Sequence, residues 1–252
     1  MIQLAGRAAV VTGGGSGLGA VMARHLVRED VRVVLVGRRY DAVRAVASEL
    51  GDLARPEACD VSDPDDVDAL ARRLAGEEVS VLVNNAGVAG PVAELPDISP
   101  DEWDEVFAIN VRGTYLMCRA LLPGMYERGT GDVVNVASVS GKRPLARRTP
   151  YCASKMAVIG LTTTLAHEAG PRGVRVNTLS PGPVESERME RNFRLEAERT
   201  GSTLAEARRA FVERAALGRM VTPEEVADAL VAMLRMPGLT GSDVDLSGGM
   251  IA

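Results

Sequence analysis

The sequence predicts a doubly wound α/β domain built around a parallel sheet. Two observations carry this. Short β-rich apolar runs alternate with longer helical patterns along most of the chain. Runs such as Val-Val-Leu-Val at 33–36 and Val-Leu-Val at 81–83 are apolar on both faces, as strands covered by helices on both sides must be. The pattern predicts a strand at Ala8–Val11, a helix at Gly17–Val27, a strand at Val31–Val36 and a helix at Asp41–Leu50. A weaker strand follows at Ala54–Cys59, then a helix at Asp65–Leu74 and a strand at Val79–Val83. A long helical pattern runs from about Pro100 to Arg128, followed by a strand at Asp132–Ala137, a helix at Tyr151–Ala169 and a strand at Val174–Leu179. Pro56 has no N–H to give a ladder, so the third strand belongs at a sheet edge, consistent with the order 3-2-1-4-5-6-7.

No repeat, low-complexity tract or linker divides the 252 residues, so residues 1–252 are expected to form one domain. The stretch Glu185–Leu217 departs from the rhythm as one or two charged helices. Glu187–Arg191 and Glu190–Arg194 have the favourable acid-first i,i+4 spacing. Leu195, Leu204, Ala207, Phe211 and Leu217 make a candidate apolar side. This segment is either a solvated peripheral pair of helices or a lid over a site, at about 185–217.

Hydrophobic residues make up 46% of the chain and aromatics only 3%, so aliphatic side chains and alanine must fill the core. A formal charge of −5 gives no reason to expect nucleic acid or an acidic membrane as a partner. Cys59, Cys118 and Cys152 form neither a disulfide framework nor a metal-spaced set, which suits a reducing, cytoplasmic setting and no metal. No signal peptide and no membrane-spanning run is legible.

The loops after the strands carry the chemistry. The first strand runs into Thr12-Gly-Gly-Gly-Ser-Gly-Leu-Gly19 and then a helix. Glycines allow a tight turn and let a diphosphate approach the backbone, while the helix N-terminus offers N–H groups and a positive dipole end. The end of the second strand reads Gly37-Arg38-Arg39, with no acid before Asp41. An acid there would favour the 2′-hydroxyl of NAD. Two guanidinium groups suit a 2′-phosphate, so NADP(H) is favoured, and NAD(H) stays open if both arginines are merely solvated.

Tyr151 and Lys155 lie four residues apart in Tyr-Cys-Ala-Ser-Lys, one turn apart on the same helix face. An ammonium there favours the ionised phenolate of a group whose ordinary pKa is about 10. Ser138 follows a strand, as do Asn85 and Pro181, and such strand ends form the ligand rim of an open α/β sheet. A hydroxyl beside a phenol supplies two donors aimed at one oxygen.

In their fixed order, Thr12–Gly19, Asp60-Val61, Asn84-Asn85-Ala86-Gly87, Asn110, Ser138, Tyr151-Cys-Ala-Ser-Lys155 and Pro181-Gly-Pro-Val184 give a resemblance over essentially the whole chain. The chain resembles the short-chain dehydrogenase/reductase family, a Rossmann-fold group, and is close in pattern to its 3-oxoacyl-carrier-protein reductase-like branch. The resemblance implies an oxidoreductase moving a hydride between a nicotinamide cofactor and a carbonyl or secondary alcohol. It implies Tyr151 as acid/base, Lys155 on the nicotinamide ribose, Ser138 on the substrate oxygen and Asn110 anchoring a water beside Lys155. Cofactor contacts are implied for Gly13, Ser16, Gly17, Leu18, Gly19, Arg38, Arg39, Asp60, Val61, Asn85, Ala86, Gly87, Pro181, Gly182, Val184 and Ser186, besides Tyr151 and Lys155. A homotetramer is implied too, and the apolar ending Asp245–Ala252 suits a subunit contact, unless it is a last strand and a loose tail.

Several residues keep plainer readings. Asp60 is either an adenine contact or the cap of the helix starting near Asp63. Asn110 is either a relay residue or a buried amide. Asn84 reads as an amide bracing the sheet, Cys152 as packing, and His25 and His167 as surface or packing residues. After Pro181-Gly-Pro-Val, Glu185-Ser186 stands where the family often has Thr, and Ser186 keeps a hydroxyl. The loop 141–148 holds four cations, Lys142, Arg143, Arg147 and Arg148, which either attract an anionic substrate or face solvent or a subunit. With few aromatics in the lid, a polar hydroxy or oxo compound fits better than a steroid. Three functional readings remain: an NADP-dependent reductase or dehydrogenase, an NAD-dependent alcohol or polyol dehydrogenase, and a non-catalytic cofactor-binding sensor or scaffold. The third is opposed by the presence of Asn110, Ser138, Tyr151 and Lys155.

Overall fold

A computed structural model describes residues 2–250, apart from the side chain of Arg188. Its strands are β1 (Ala8–Thr12), β2 (Arg32–Gly37), β3 (Ala54–Ala58), β4 (Val79–Asn84), β5 (Gly131–Val136), β6 (Val174–Pro181) and β7 (Asp243–Leu246). They form one all-parallel sheet in the order β3-β2-β1-β4-β5-β6-β7. Pro56 pairs opposite Leu35 in the edge strand β3, where its missing N–H is tolerated. The helices are α1 (Gly17–Arg28), α2 (Tyr40–Leu50), α3 (Pro64–Arg73), α4 (Pro100–Phe107), α5 (Gly113–Arg128), α6 (Thr149–Ala169), α7 (Glu187–Thr200), α8 (Leu204–Val212) and α9 (Pro223–Arg235).

Alternate strand residues feed two separate cores. Ala9, Val11, Val81, Val83 and Val134 pack with α1, α2 and α9. Val10, Leu82, Val133 and Val176 pack with α3 and α5 on the other face. Strands apolar on both sides are therefore consumed on both sides, and aliphatic residues fill each layer.

Several expectations need correction. The long pattern from Pro100 to Arg128 is not a uniform helix: residues Ala108–Arg112 form a π turn between α4 and α5, widening the helix around Asn110. The cap of α3 is Asp63, whose carboxylate accepts from the N–H groups of Asp65 and Asp66, so Asp60 does not cap it. In the 185–217 stretch, neither Glu187–Arg191 nor Glu190–Arg194 closes to within 4.0 Å. Glu190 instead reaches across to Arg208 of α8 at 3.4 Å. Leu195, Leu204 and Leu217 are exposed, and the buried side of the pair is formed by Phe193, Ala197 and Ala207. Phe193 meets Phe211 edge to face at 5.3 Å between ring centres.

Beneath the N-terminal ends of the strands lies a buried charge cluster. Asp132 sits between Arg7, at 2.7 Å, and Arg175, at 2.5 Å. Arg175 also donates to the carbonyl of Leu234 at 2.9 Å, tying the last turn of α9 to the sheet. Burial pushes the Asp132 carboxyl upward in pKa, while the two guanidinium groups pull it back. Removing one member of such a cluster leaves buried charge uncompensated. Asp132→Ala is expected to lose about 3–5 kcal/mol of unfolding free energy. Urea unfolding of the variant against wild type checks this, and a loss under about 1 kcal/mol, the size of an exposed pair, contradicts it.

Candidate active site

The turn after β1 is packed too tightly for side chains. Gly13 has φ +67 and Gly17 φ +52, where L residues are strained. A Cβ on Gly19 would sit 2.2 Å from the Gly13 carbonyl oxygen and 2.7 Å from Asn85 Nδ2. Ser16 stands at the N-cap of α1 in extended backbone without a side-chain cap bond, and the first turn carries no acid. The first N–H groups of α1 are thus left to an anion arriving over a bare glycine backbone, which suits a diphosphate.

Thr12 is a site residue that its sequence position does not single out. Its buried hydroxyl accepts from the backbone N–H of Asn85 at 2.9 Å and of Ala86 at 3.0 Å, and Asn85 Nδ2 donates to the Thr12 carbonyl at 2.9 Å. These bonds clip the turn after β4 against the glycine turn. The available signal was a hydroxyl at the end of a buried strand directly before a glycine run.

At the ends of β2 and β3, Arg38 lies 4.0 Å from Asp60. The Asp60 carboxylate accepts from the Ser62 N–H at 2.9 Å and its hydroxyl at 2.7 Å. Although burial opposes ionisation, the Ser62 bonds and the charges of Arg38 and Arg112 hold this carboxyl below its usual range. Arg39 occupies the N-cap position of α2 and is exposed, while Val61 is buried against Gly113 of α5. The structure thus brings Arg38 and Asp60 together and turns Val61 into the core.

Tyr151 and Lys155 stand on the first two turns of α6. Lys155 is buried, its Nζ lies 5.8 Å from the Tyr151 ring centre, and it donates to the Val136 carbonyl at 2.8 Å. The turn holding them is fastened from the side by Asn110. Its Nδ2 donates to Val88 O and to Ser154 Oγ, both at 3.0 Å, and its Oδ1 accepts from Val88 N–H at 2.8 Å. Ser154 in turn donates to the Tyr151 carbonyl at 2.8 Å. Gly87 leaves the room for this: a Cβ there would sit 3.0 Å from Asn110 Oδ1 and 3.5 Å from Lys155 Nζ. Asn84 is a bracing amide, with Nδ2 donating to Asn135 Oδ1 at 2.8 Å, and Asn135 donating to Thr162 of α6 at 2.9 Å.

Ser138, in extended backbone after β5, accepts from Ser140 N–H at 3.1 Å and lies 3.5 Å from the Pro181 carbonyl. Ser138 and Tyr151 line one cavity of about 990 Å³, together with Gly182, Pro183 and Val184 after β6. Met189 and Phe193 of α7 and Phe211 of α8 close its far wall. Gly182 is needed at the rim, since a Cβ would fall 2.7 Å from Ser247 Cα. Ser186 also has a structural use. Its hydroxyl caps α7, accepting from Met189 N–H at 3.3 Å and donating to Val184 O at 3.2 Å, so it is engaged in holding the helix start.

Cysteine chemistry is muted. Burial pushes the Cys59 and Cys118 thiols up to about 12, and burial also raises Cys152, whose Sγ lies 3.9 Å from Leu145 O. His25 packs at 3.1 Å from Asp228. Among the described residues no three His, Cys, Asp or Glu side chains gather as a metal site, and no helix is long and apolar enough to cross a membrane. The expected C-terminal subunit contact lies partly outside the described residues, which end at Met250.

This arrangement has close counterparts. The short chain dehydrogenase family pattern matches residues 7–197. D-threitol dehydrogenase of Mycolicibacterium smegmatis is 36% identical over 254 residues, covering 98% of this chain and 94% of that protein. The 3-ketoacyl-(acyl-carrier-protein) reductase of Brucella melitensis, solved with NADH, superposes with a TM-score of 0.87 at 34% identity over 98% of this chain and 99% of that one. L-sorbose reductase of Gluconobacter frateurii, solved with NADPH and L-sorbose, has a TM-score of 0.91 at 28% identity over 99% of each chain. The chain belongs to the short-chain dehydrogenase/reductase family, the oxidoreductases that move a hydride between a nicotinamide cofactor and an alcohol or carbonyl group.

Proposed function

We propose that this protein is an NADP(H)-preferring oxidoreductase for a polar hydroxy or oxo compound, with Tyr151 as its acid/base. The observation that carries the proposal is the meeting of Ser138 and Tyr151 in one cavity, with Lys155 held directly behind Tyr151. The bound nicotinamide supplies the hydride in reduction and accepts it in oxidation. Tyr151 gives its phenolic proton to the carbonyl oxygen as hydride reaches the carbonyl carbon, and takes it back in the reverse direction. Ser138 turns its hydroxyl from the long contact with Pro181 O to the same oxygen, a second donor where negative charge grows. Lys155 places its ammonium beside the phenol and on the nicotinamide ribose. Asn110 acts by placement: its amide is spent on Val88 and Ser154, which sets the Tyr151–Lys155 turn against Gly87 and holds its backbone beside the proposed water.

Gly13, Ser16, Gly17, Leu18 and Gly19, with Asn85, Ala86, Pro181, Gly182 and Val184, would hold the cofactor along the rim. Asp60 would receive the adenine, and Arg38 with Arg39 a 2′-phosphate. The NAD-dependent alternative draws on the Arg38–Asp60 contact, which gives Arg38 a partner within the chain. Helices α7 and α8 form the lid, since residues 189–214 wall the cavity. We further infer a cytoplasmic homotetramer. The polyol and sugar substrates named for the D-threitol dehydrogenase and L-sorbose reductase relatives support a polar substrate.

Tyr151→Phe is expected to lower kcat by about 10²–10⁴-fold while NADPH still binds, since a positioned acid/base contributes about that much. Unchanged turnover in that variant sinks the mechanism. In fluorescence titrations, wild type is expected to bind NADPH more tightly than NADH. Arg38→Ala with Arg39→Ala is expected to cut that preference by about 10–100-fold, the worth of one charged hydrogen bond. Equal affinity for the two cofactors in wild type overturns the NADP assignment.

A further inference from the structure

Of the four cations in the 141–148 loop, three are already engaged. Lys142 pairs with Asp243 at 2.7 Å and also with Asp245, both on β7. Arg147 donates to Val92 O at 3.2 Å and lies 4.0 Å from Glu94. Arg148 donates to Gly90 O and to Asn192 Oδ1, each at 3.2 Å. The fourth, Arg143, is half-buried in the wall of the cavity that holds Ser138 and Tyr151. Arg214, in the turn after α8, lines the same cavity, with its guanidinium 5.6 Å from the Phe211 ring centre. Among the described residues no carboxylate comes within 4.0 Å of either guanidinium.

The acids of the cavity wall have other commitments. Glu196 takes Arg199 in a two-bond pair at 2.9 and 2.6 Å. Glu206 closes the capping box of α8 with Thr203, and Glu94 lies beside Arg147. The half-buried Arg143 and the exposed Arg214 therefore line one cavity whose acids are committed elsewhere. Burial and the positive charge of Arg214 both push the Arg143 guanidinium below its ordinary pKa, the mark of a site where positive charge is held at a cost. An oxyanion entering between two guanidinium forks removes that repulsion and gains paired N–H···O bonds.

We propose that Arg143 and Arg214 form an anion subsite, so that the substrate carries a carboxylate or phosphoryl-type oxyanion a short chain away from the carbonyl or alcohol handled by Tyr151. Arg143 follows Ser138 by five residues, across the short turn Val139–Gly141, so the subsite adjoins the reacting centre. Arg214 belongs to the end of the lid segment, so a bound anion draws the lid end towards the Ser138 loop. The subsite rests on the oxidoreductase reading for its meaning as a substrate contact, but its anion affinity stands independently of turnover.

The test compares 3-oxobutanoate, 4-oxopentanoate and 5-oxohexanoate with their primary amides, and 4-oxopentylphosphonate as the phosphoryl arm, under saturating NADPH or NADH. In wild type at low ionic strength, kcat/KM for the best acid is expected to exceed that for its amide by about tenfold or more, with the gap shrinking as salt is added. Which arm wins distinguishes carboxylate from phosphoryl recognition. In Arg143→Gln with Arg214→Gln the acid-to-amide ratio is expected to fall by about tenfold, and Arg143→Lys with Arg214→Lys to recover part of it. Calorimetric titration of the Tyr151→Phe enzyme with NADPH bound, against the same compounds, reads the subsite without chemistry. Arg143- and Arg214-dependent binding there, with no turnover of these compounds by wild type, upholds the subsite and overturns its reading as a contact for the reacting substrate. Turnover with no preference for acid over amide, or a preference that survives the double substitution, overturns the subsite and leaves the oxidoreductase reading in place. Failure of every anion to bind in an arginine-dependent way overturns it as well.

Discussion

Helix α6 is fastened to the sheet by polar bonds, and the site depends on that attachment. Its buried face includes Ser154, Lys155 and Thr162 alongside Val158 and Ala166, so it has no continuous apolar stripe to seat it. Lys155 bonds Val136 at the end of β5, Ser154 receives Asn110, and Thr162 receives Asn135. Apolar contacts tolerate small slides, whereas a buried hydrogen bond of 2.8–3.0 Å does not. The three bonds define the helix in height, rotation and lateral position. Ser154, Lys155 and Thr162 each thereby gain a partner, and Tyr151 is placed as a consequence of how the rest of its helix is held.

A single short segment joins the two halves of the site. Asn85 and Ala86 are clipped by Thr12 at the mouth of the glycine turn, and two residues on Val88 is gripped through both its N–H and its C=O by Asn110. The glycine turn and the Tyr151–Lys155 pair therefore share one strand end as a common reference. Gly87 lies between the two clasps because no side chain fits between Asn110 and Lys155. The π turn at Ala108–Arg112 is what brings Asn110 to that position, and Thr114 returns to bond its carbonyl at 2.9 Å.

Much of this was legible in the sequence, for physical reasons. Strands buried on both faces announce themselves as unbroken Val and Leu runs, and a proline in β3 has few places to go but an edge. The order of the strand-end loops follows from the alternation, and the Tyr151–Lys155 spacing follows from helix geometry. The parts that were not legible depend on distant partners. Lys142 reads as a free cation until Asp243 and Asp245, about a hundred residues later, are folded beside it. The π turn leaves the hydrophobic period almost untouched. The buried side of α7 falls on Phe193 rather than Leu195 because the packing of α7 on α8 sets which face is inward, and no local pattern encodes that packing. The capping of α7 by Ser186 is hidden in the sequence because it depends on where the helix begins.

The proline at the middle of β3 also bears on how the molecule behaves among copies of itself. An edge strand is an open invitation to further pairing, and fully parallel sheets are otherwise well suited to accept one more strand. Here the outermost strand is five residues long, lacks a donor at its centre, and carries Arg55 and Glu57 on either side of that gap, tied to Glu77 and Arg73. A neighbouring chain finds an interrupted ladder and a charged flank. The sheet is thereby closed to growth on that side, and any association between copies across that edge must come through side chains, which can specify a partner, rather than through backbone pairing, which cannot.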